Sequence, residues 1–523
     1  MRNTNERNVR VGLFGVGLDT YWPQFAGLKE RLEGYVQAVA DIICSDSPDN
    51  SGIWTDAPPS AHTRQADEQP DEQQNAHRAQ SRHAGKSAGP AGAVELVNAG
   101  LVDNPQKAAL TGTMFREQRV DIIFLYISTY ALSSTVLPVV REAGAPVIVL
   151  NIQPVAAINY TSFNAMNDRG RMTGEWLAHC QACAVPEIAN VCNRAGIDYH
   201  LLTGYLGDES MEAEIHEWIA AARTAKIMRA NRLGLMGHYY GGMLDVYSDL
   251  TRQLSAFGGH AEIVEIDELA ALCREPGGDD VAGRIAEFRR VFQVAPECGQ
   301  AELERAARTS LGLDRLVERH ELGSLAYFYA GEPGSVHEDI ISSVIAGNTL
   351  LTARHVPVAG EYEVKNAQAM KIMDSFDAGG SFSEFYAMDF ADDVVLLGHD
   401  GPAHAAIAEG RVGLVPLPVY HGKPGRGLSI QMTVKNGPVT VLSVVEGAHE
   451  MFLLVAEGES VPGPVLHIGN TNSRYRFPIP VKDFINRWAM VGPSHHSAIG
   501  IGHIASKIDK FAQLTGISMK QIC

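Results

Sequence analysis

Two uninterrupted apolar runs, "VDIIFLYI" (120–127) and "APVIVLNI" (145–152), constrain this chain more than any other feature. Each has strand length, and the helix-patterned segment "SSTVLPVVREAG" separates them. A strand apolar at every position needs cover on both faces, which is the situation of a parallel sheet flanked by helices. The same order, strand then glycine turn then helix, opens the chain with "VRVGLFGVG" (9–17) and the helical pattern of 22–43. It starts again at "NRLGLMGHYYGGMLDV" (231–246) and runs through "AEIVEID", the charged helices of 280–320 and "GSLAYFYAG". From about residue 381 the texture changes to short runs such as "DVVLLGHDG", "VGLVPLPV" and "MFLLVAEGESV", separated by Gly, Pro and Asn. Those runs read as antiparallel strands. The expected architecture is therefore two flavodoxin-like parallel-sheet α/β domains followed by a C-terminal antiparallel β-rich domain. The boundaries fall at 1–225, 226–380 and 381–523, with a closing helix over 497–516. A length of 523 residues suits three such units.

One segment fits none of them. Residues 45–93 are rich in Ser, Pro, Gln, Asp and Ala and nearly free of core-type side chains. Such a composition cannot offset its chain entropy by burial, so a disordered surface insertion is expected. Its histidines (His62, His77, His83) are too widely spaced for a metal site.

Charge excludes some functions. The formal net charge of −18, with no basic cluster, argues against nucleic acid or an anionic membrane as partner. No apolar run approaches the ~20 residues of a membrane span, and the first residues lack a signal peptide's apolar core. Seven scattered cysteines give no disulfide framework. A cytoplasmic enzyme is the expectation.

Two motifs compete for attention. "GLFGVGLDT" places Gly12, Gly15 and Gly17 after a strand like a dinucleotide fingerprint, but Leu18, Asp19 and Thr20 follow and the third glycine is missing. A glycine turn without nucleotide is the better reading, with an NAD-dependent oxidoreductase as its rival. "HCQAC" (179–183), with Cys192 nearby, could bind zinc or do redox chemistry. It lies in a helical pattern without a second CxxC, which favours buried helix cysteines.

The third set lies in the last third of the chain. Glu361 sits in "VAGEYEVKNAQAMKIM", Glu384 follows an expected Gly-Gly turn, His399 ends the apolar run of "LLGHDG", and His495 and His496 stand together in "GPSHHSAIG". Two carboxylates and two imidazoles make a mixed oxygen and nitrogen sphere suited to Mn²⁺ and related ions. No local spacing forces them together. On neighbouring positions of an extended segment, one histidine can face a ligand while the other approaches from another side.

At these residues the chain resembles the L-arabinose isomerase family, within the L-fucose/L-arabinose isomerase group. The resemblance rests on Gly360-Glu361 with Lys371, Ile372 and Met373, on Ser381-Phe382-Ser383-Glu384, on Leu397-Gly398-His399, and on Gly492-Pro493-Ser494-His495-His496. It implies that Glu361, Glu384, His399 and His496 bind Mn²⁺, or another divalent cation such as Co²⁺ or Mg²⁺. It also implies that Glu361 and Glu384 do the proton transfer. Substrate contacts would come from His495, Gln153 and Met243, in a homo-oligomer with active sites near subunit interfaces. The implied reaction interconverts an aldose, L-arabinose or a similar pentose or 6-deoxyhexose, and its ketose. A non-catalytic sugar-binding or regulatory protein on the same fold is the alternative. The N-terminal half departs from the family: "GVGLDTYW" replaces its Gly-Ser-Gln-His after the first strand, which bears on the sugar rather than on the reaction type.

Overall fold

The computed structural model describes residues 7–45, 93–417, 419, 420, 423, 424 and 426–523. The expected insertion at 45–93 therefore lies almost entirely outside the described residues.

The first unit runs β1 (Val9–Val16), α1 (Leu28–Cys44), β2 (Val94–Val102), α2 (Pro105–Gln118), β3 (Ile122–Ile127), α3 (Leu137–Ala143) and β4 (Val147–Gln153). It continues with α4 (Tyr160–Asn164), α5 (Arg169–Leu177), α6 (Gln181–Ala195), β5 (Tyr199–Tyr205) and the long α7 (Glu209–Ala230). The strands are parallel in the order β2-β1-β3-β4-β5. Strand β3 is buried at every position, as its unbroken apolar run requires. Local chemistry starts the helices. Asn104 caps α2 by accepting the Lys107 N–H (3.0 Å), with Pro105 in the first turn. The glycines after β1 serve packing. A Cβ at Gly15 would lie 2.4 Å from Val36, and one at Gly17 would meet the Trp22 ring, whose Nε1 donates to Asp103 (2.9 Å).

The second unit comprises β6 (Arg232–Gly237), α8 (Leu250–Phe257), β7 (His260–Val264), α9 (Ile266–Arg274), α10 (Gly278–Val291) and the short β8 (Gln293–Val294). Then come α11 (Gln300–His320), β9 (Ser324–Phe328), α12 (Val336–Ile341), α13 (Ile345–Ala353), β10 (Val358–Ala359) and α14 (Val364–Ser375). Its parallel sheet has the order β10-β9-β6-β7. Helix α14 is buried along its whole length, including Lys365, Lys371 and Asp374. It packs against β9 and β10 on one side and against the third unit on the other. A helix buried all round must pair its charges. Lys371 Nζ donates to the His355 carbonyl (2.9 Å) and pairs with Asp374 (3.3 Å), which also takes a hydrogen bond from the His355 ring (2.8 Å).

The third unit holds β11 (Gly379–Asp389), β12 (Val394–His399), β13 (Gly413–Pro416), β14 (Val419–Tyr420), β15 (Lys423–Pro424) and β16 (Leu428–Gln431). It ends with β17 (Gly437–Glu446), β18 (Met451–Val461), β19 (Thr471–Arg476), α15 (Val481–Val491), β20 (His496–Ile501), α16 (Ala505–Thr515) and β21 (Ser518–Gln521). Six antiparallel strands in the order β17-β20-β11-β12-β19-β18 close into a barrel through β17–β18 pairing, and β21 adds in parallel to β18. The expected fold class, two parallel-sheet α/β units and an antiparallel β-rich one, is the one observed.

Two local expectations need correction. The closing helix begins only at Ala505, because residues 496–501 form β20 inside the barrel. Gly500 explains this: a Cβ there would come 2.8 Å from the Ala378 carbonyl, a close backbone approach typical of a crowded strand. The Gly-Gly pair before Glu384 is not a free-standing turn. Gly379 and Gly380, at φ 90° and 105°, carry the chain from α14 into β11, where the pairing with β20 slips register.

Candidate metal and active site

Strand register assembles the cluster. Gly398 on β12 stands opposite Glu384 on β11, and Glu384 stands opposite His496 on β20. His399 follows Gly398, so three adjacent strands deliver three side chains at one level of the barrel. This is possible because Gly398 has no side chain; a Cβ would fall 2.0 Å from the Thr471 carbonyl. Glu361 arrives separately, in the turn between β10 and α14, beyond the carboxyl end of the second parallel sheet. Its backbone and that of Tyr362 are left-handed (φ 55° and 59°), uncommon for residues with side chains. Hydrogen bonds from Tyr362 N to the Tyr327 carbonyl (3.0 Å) and from Glu363 N to the Gly360 carbonyl (2.9 Å) hold the turn. Strain fixed by its surroundings is a recurrent property of working sites.

The donor atoms fall into two triads that share His496. Those of Glu361, His399 and His496 lie within 4.8 Å of one another, and so do those of Glu384, His495 and His496. Phe382 packs against both rings, its centroid 4.4 Å from those of His399 and His496, which are themselves 5.3 Å apart. The adjacent histidines differ in burial: the His496 side chain is sealed, whereas His495 keeps 35% exposure. They do not point to opposite faces, however, since their ring centroids are 3.8 Å apart.

These residues fit a divalent cation. His496 Nε2 lies 3.5 Å from Glu361 Oε2, and Nδ1 lies 3.6 Å from Glu363 Oε2; neither nitrogen makes a hydrogen bond among the described residues. Buried ring nitrogens left without hydrogen bonds are costly unless something else satisfies them. A shared cation on one side of the ring and a carboxylate on the other would do so, and this is the usual arrangement of a metal-bound histidine. Two carboxylates and two imidazoles suit Mn²⁺, Mg²⁺ or Co²⁺ by donor type.

Two carboxylates that the sequence pattern did not single out complete the arrangement. Glu363, fully buried, faces His496 and pairs with Lys365 (3.3 Å). Lys365 in turn donates to the carbonyls of Asp245 (2.7 Å) and Tyr247 (3.2 Å), tying the loop after β6 to the site. Asp245 on that loop accepts from both the ring Nδ1 (2.6 Å) and the backbone N (3.0 Å) of His495. His495 Nε2 is thereby aimed between Glu361 (3.7 Å) and Glu384 (3.9 Å). Burial by itself would lower the His495 pKa, but its bonds with Glu361 and Asp245 outweigh this and raise it to about 9. Burial raises the Glu384 carboxyl, with the neighbouring Glu361 and Asp400 adding to the effect against the opposing histidines.

The remaining predicted residues lie differently. Met243 sits two residues before Asp245, at the start of a short 3₁₀ turn over Leu244–Val246. Gln153 ends β4 in the first sheet, where its carbonyl accepts the Leu206 N–H (2.8 Å). Among the described residues, the hydrogen bonds and ion pairs around the cluster come from the second and third units and not from Gln153. Spacing offered a faint signal for the two missed acids. Glu363 follows Glu361 in "GEYE", and Asp245 follows the glycine turn in "GGMLDV".

Comparison with known proteins bears out the resemblance. Residues 379–518, which contain all of the barrel strands, match the family described as L-arabinose isomerase C-terminal domain. An L-arabinose isomerase of a Nocardioides species is 22% identical over 347 residues, 64% of this chain and 68% of that protein. That of Mycolicibacterium smegmatis is 21% identical over 355 residues, with the same shares, and that of Bacillus subtilis 19% over 342 residues.

Proposed function

We propose that this chain is a divalent-metal-dependent aldose–ketose isomerase acting on an open-chain pentose or 6-deoxyhexose, L-arabinose first among them. The observation that carries the proposal is the pair of donor triads, Glu361–His399–His496 and Glu384–His495–His496, that meet at the buried His496, in a chain similar to L-arabinose isomerases. A cation held by these four side chains would supply Lewis-acid polarisation of the sugar carbonyl. Glu361 and Glu384 would flank the reacting carbons, joined through His495 Nε2 between them. One carboxylate takes the proton from C2 while the other, as a carboxylic acid, gives one to O1, leaving an enediol. The second carboxylate then recovers a proton from O2 as the first returns its proton to C1. His495, held by Asp245, would donate to a sugar oxygen. Gln153 and Met243 are retained as sugar contacts, Gln153 through a second copy of the chain in a homo-oligomer.

The test is turnover of a sugar panel by metal-stripped protein, with and without Mn²⁺, Co²⁺ or Mg²⁺. Ketose should form only with added cation, and Glu361→Gln or Glu384→Gln should lower kcat by at least about 10³-fold without unfolding the chain. Sugar binding with no turnover under any cation would favour the non-catalytic reading.

A further inference from the structure

The cysteine pair of "HCQAC" takes no part in the site above, and the structure gives it a different setting from the one the helical pattern suggested. The pattern is broken: α5 stops at Leu177, α6 starts at Gln181, and Cys180 precedes α6 with non-helical backbone (φ −99°, ψ 40°). Cys183 lies in the first turn of α6, and the two sulfurs are 2.7 Å apart. Cys180 is 2% exposed, whereas Cys183 is open to solvent.

The pair is also held in a particular place. The Gln181 side chain donates to the carbonyls of Ser128 and Ala178, both at 2.9 Å, which pins the start of α6 to the loop leaving β3. The Tyr130 backbone amide on that loop favours the charged form of Cys180, against the effect of its burial. Tyr21, just after β1, is within electrostatic reach of both sulfurs. The chain turns from β1 towards β2 in one direction and from β3 towards β4 in the other. The cysteines therefore lie beyond the carboxyl ends of β1 and β3, at the point where strand order reverses and open α/β sheets form their ligand crevice.

We propose that Cys180 and Cys183 form a thiol–disulfide exchange site whose substrates are low-molecular-weight disulfides of the glutathione class. Cys183, exposed in a helix first turn, is the attacking thiol. It loses its proton and bonds to one sulfur of the small disulfide, whose S–S bond breaks to release one thiolate that takes up the proton. Cys180 then loses its proton and attacks the Cys183 sulfur, forming the protein disulfide and releasing the second small thiol. The protein is oxidised by two electrons and the small disulfide reduced by two. Burial and the neighbouring thiol push the Cys180 pKa upward, which fits the resolving role rather than the attacking one.

The test uses the full chain equilibrated in oxidised and reduced glutathione at stepped ratios, quenched with acid, alkylated and mapped by peptide mass spectrometry. The expected result is joint loss of the Cys180 and Cys183 alkylation sites. Because the second step is intramolecular, half-oxidation should need about tenfold less oxidised glutathione than half-modification of the exposed Cys44. Cys180→Ser should stop at a glutathione adduct on Cys183, and Cys183→Ser should leave Cys180 alkylatable. Retention of both alkylation sites in the unmodified protein while Cys44 is glutathionylated overturns the proposal. So does stable glutathionylation of Cys183 without disulfide formation. Both readouts come from the natural sequence and do not depend on the folding of any variant.

Discussion

His496 has one ring nitrogen facing Glu361 and the other facing Glu363, with 1% of its surface exposed. His495 has its Nδ1–H committed to Asp245. The two neighbours should therefore fail differently. His496→Ala is expected to lose tight Mn²⁺ binding, whereas His495→Ala should bind Mn²⁺ and turn over sugar poorly; calorimetric titration beside activity measurement separates them. The reverse pattern would reassign the pair. Glu363→Gln leaves the cluster's atoms in place but weakens the acceptor behind His496, and Mn²⁺ affinity should fall ~10–100-fold. Asp245→Asn should instead lower kcat with Mn²⁺ affinity changed less than ~3-fold, since Asp245 touches His495 and none of the four proposed ligands. Motif order singled out the four proposed ligands in the sequence. Glu363 and Asp245 were not, because an acid in a turn carries no periodicity and its partner lies over a hundred residues away in the chain.

Among elements, the barrel strands were readable one by one but their register was not, since pairing of β11 with β12 and β20 is a long-range choice that local pattern does not encode. Residues 497–501 illustrate the difficulty: Ser, Ala and Gly alternate with Ile, which suits a small-residue helix as well as a crowded strand, and only the neighbouring backbone decides. The element most exposed to a single change is β12. Gly398→Ala would drive a methyl into the Thr471 carbonyl on β19, and backbone cannot yield as a flexible side chain can. A loss of at least ~1–3 kcal/mol in stability is expected, together with weaker Mn²⁺ binding through displacement of His399. Denaturant melts of the variant beside Gly401→Ala, where the nearest atom is a side-chain nitrogen at 3.1 Å, would check it; equal stability of the two would contradict this account of the strand.

Over the whole molecule, strand–helix alternation announced both parallel sheets, while β2, β5 and α7 escaped notice. The half-exposed, mixed-polarity edge strand β5 and the long α7, whose buried residues spread round the helix, show weaker patterns than β3. Where the three units meet, buried charge makes stability depend on pH. Burial drives the His404 pKa down to about 4, the Asp374 carboxylate opposing and His355 assisting. Its unfolded value is ~6.5. The unfolded chain thus binds a proton that the folded chain refuses, so stability is complete above pH 6.5 and falls as pH drops towards 4, by ~3 kcal/mol in all. Asp374, held well below its ordinary value because His355 and Lys371 outweigh the cost of burial, adds a further loss below about pH 4. Chemical denaturation at pH 7.5 and 5 should differ in this sense, and a flat profile would count against it. The barrel also dictates a schedule for biosynthesis. Strand β20 fits between β17 and β11, yet a ribosome makes it only after every other strand of the ring. Until then β11 and β17 face each other with bare edges, and Glu361, Glu384 and His399 exist without His496. Under the function proposed above, cation loading is one of the last events in the life of the nascent chain, and a stalled polypeptide would carry most of the ligands and none of the grip.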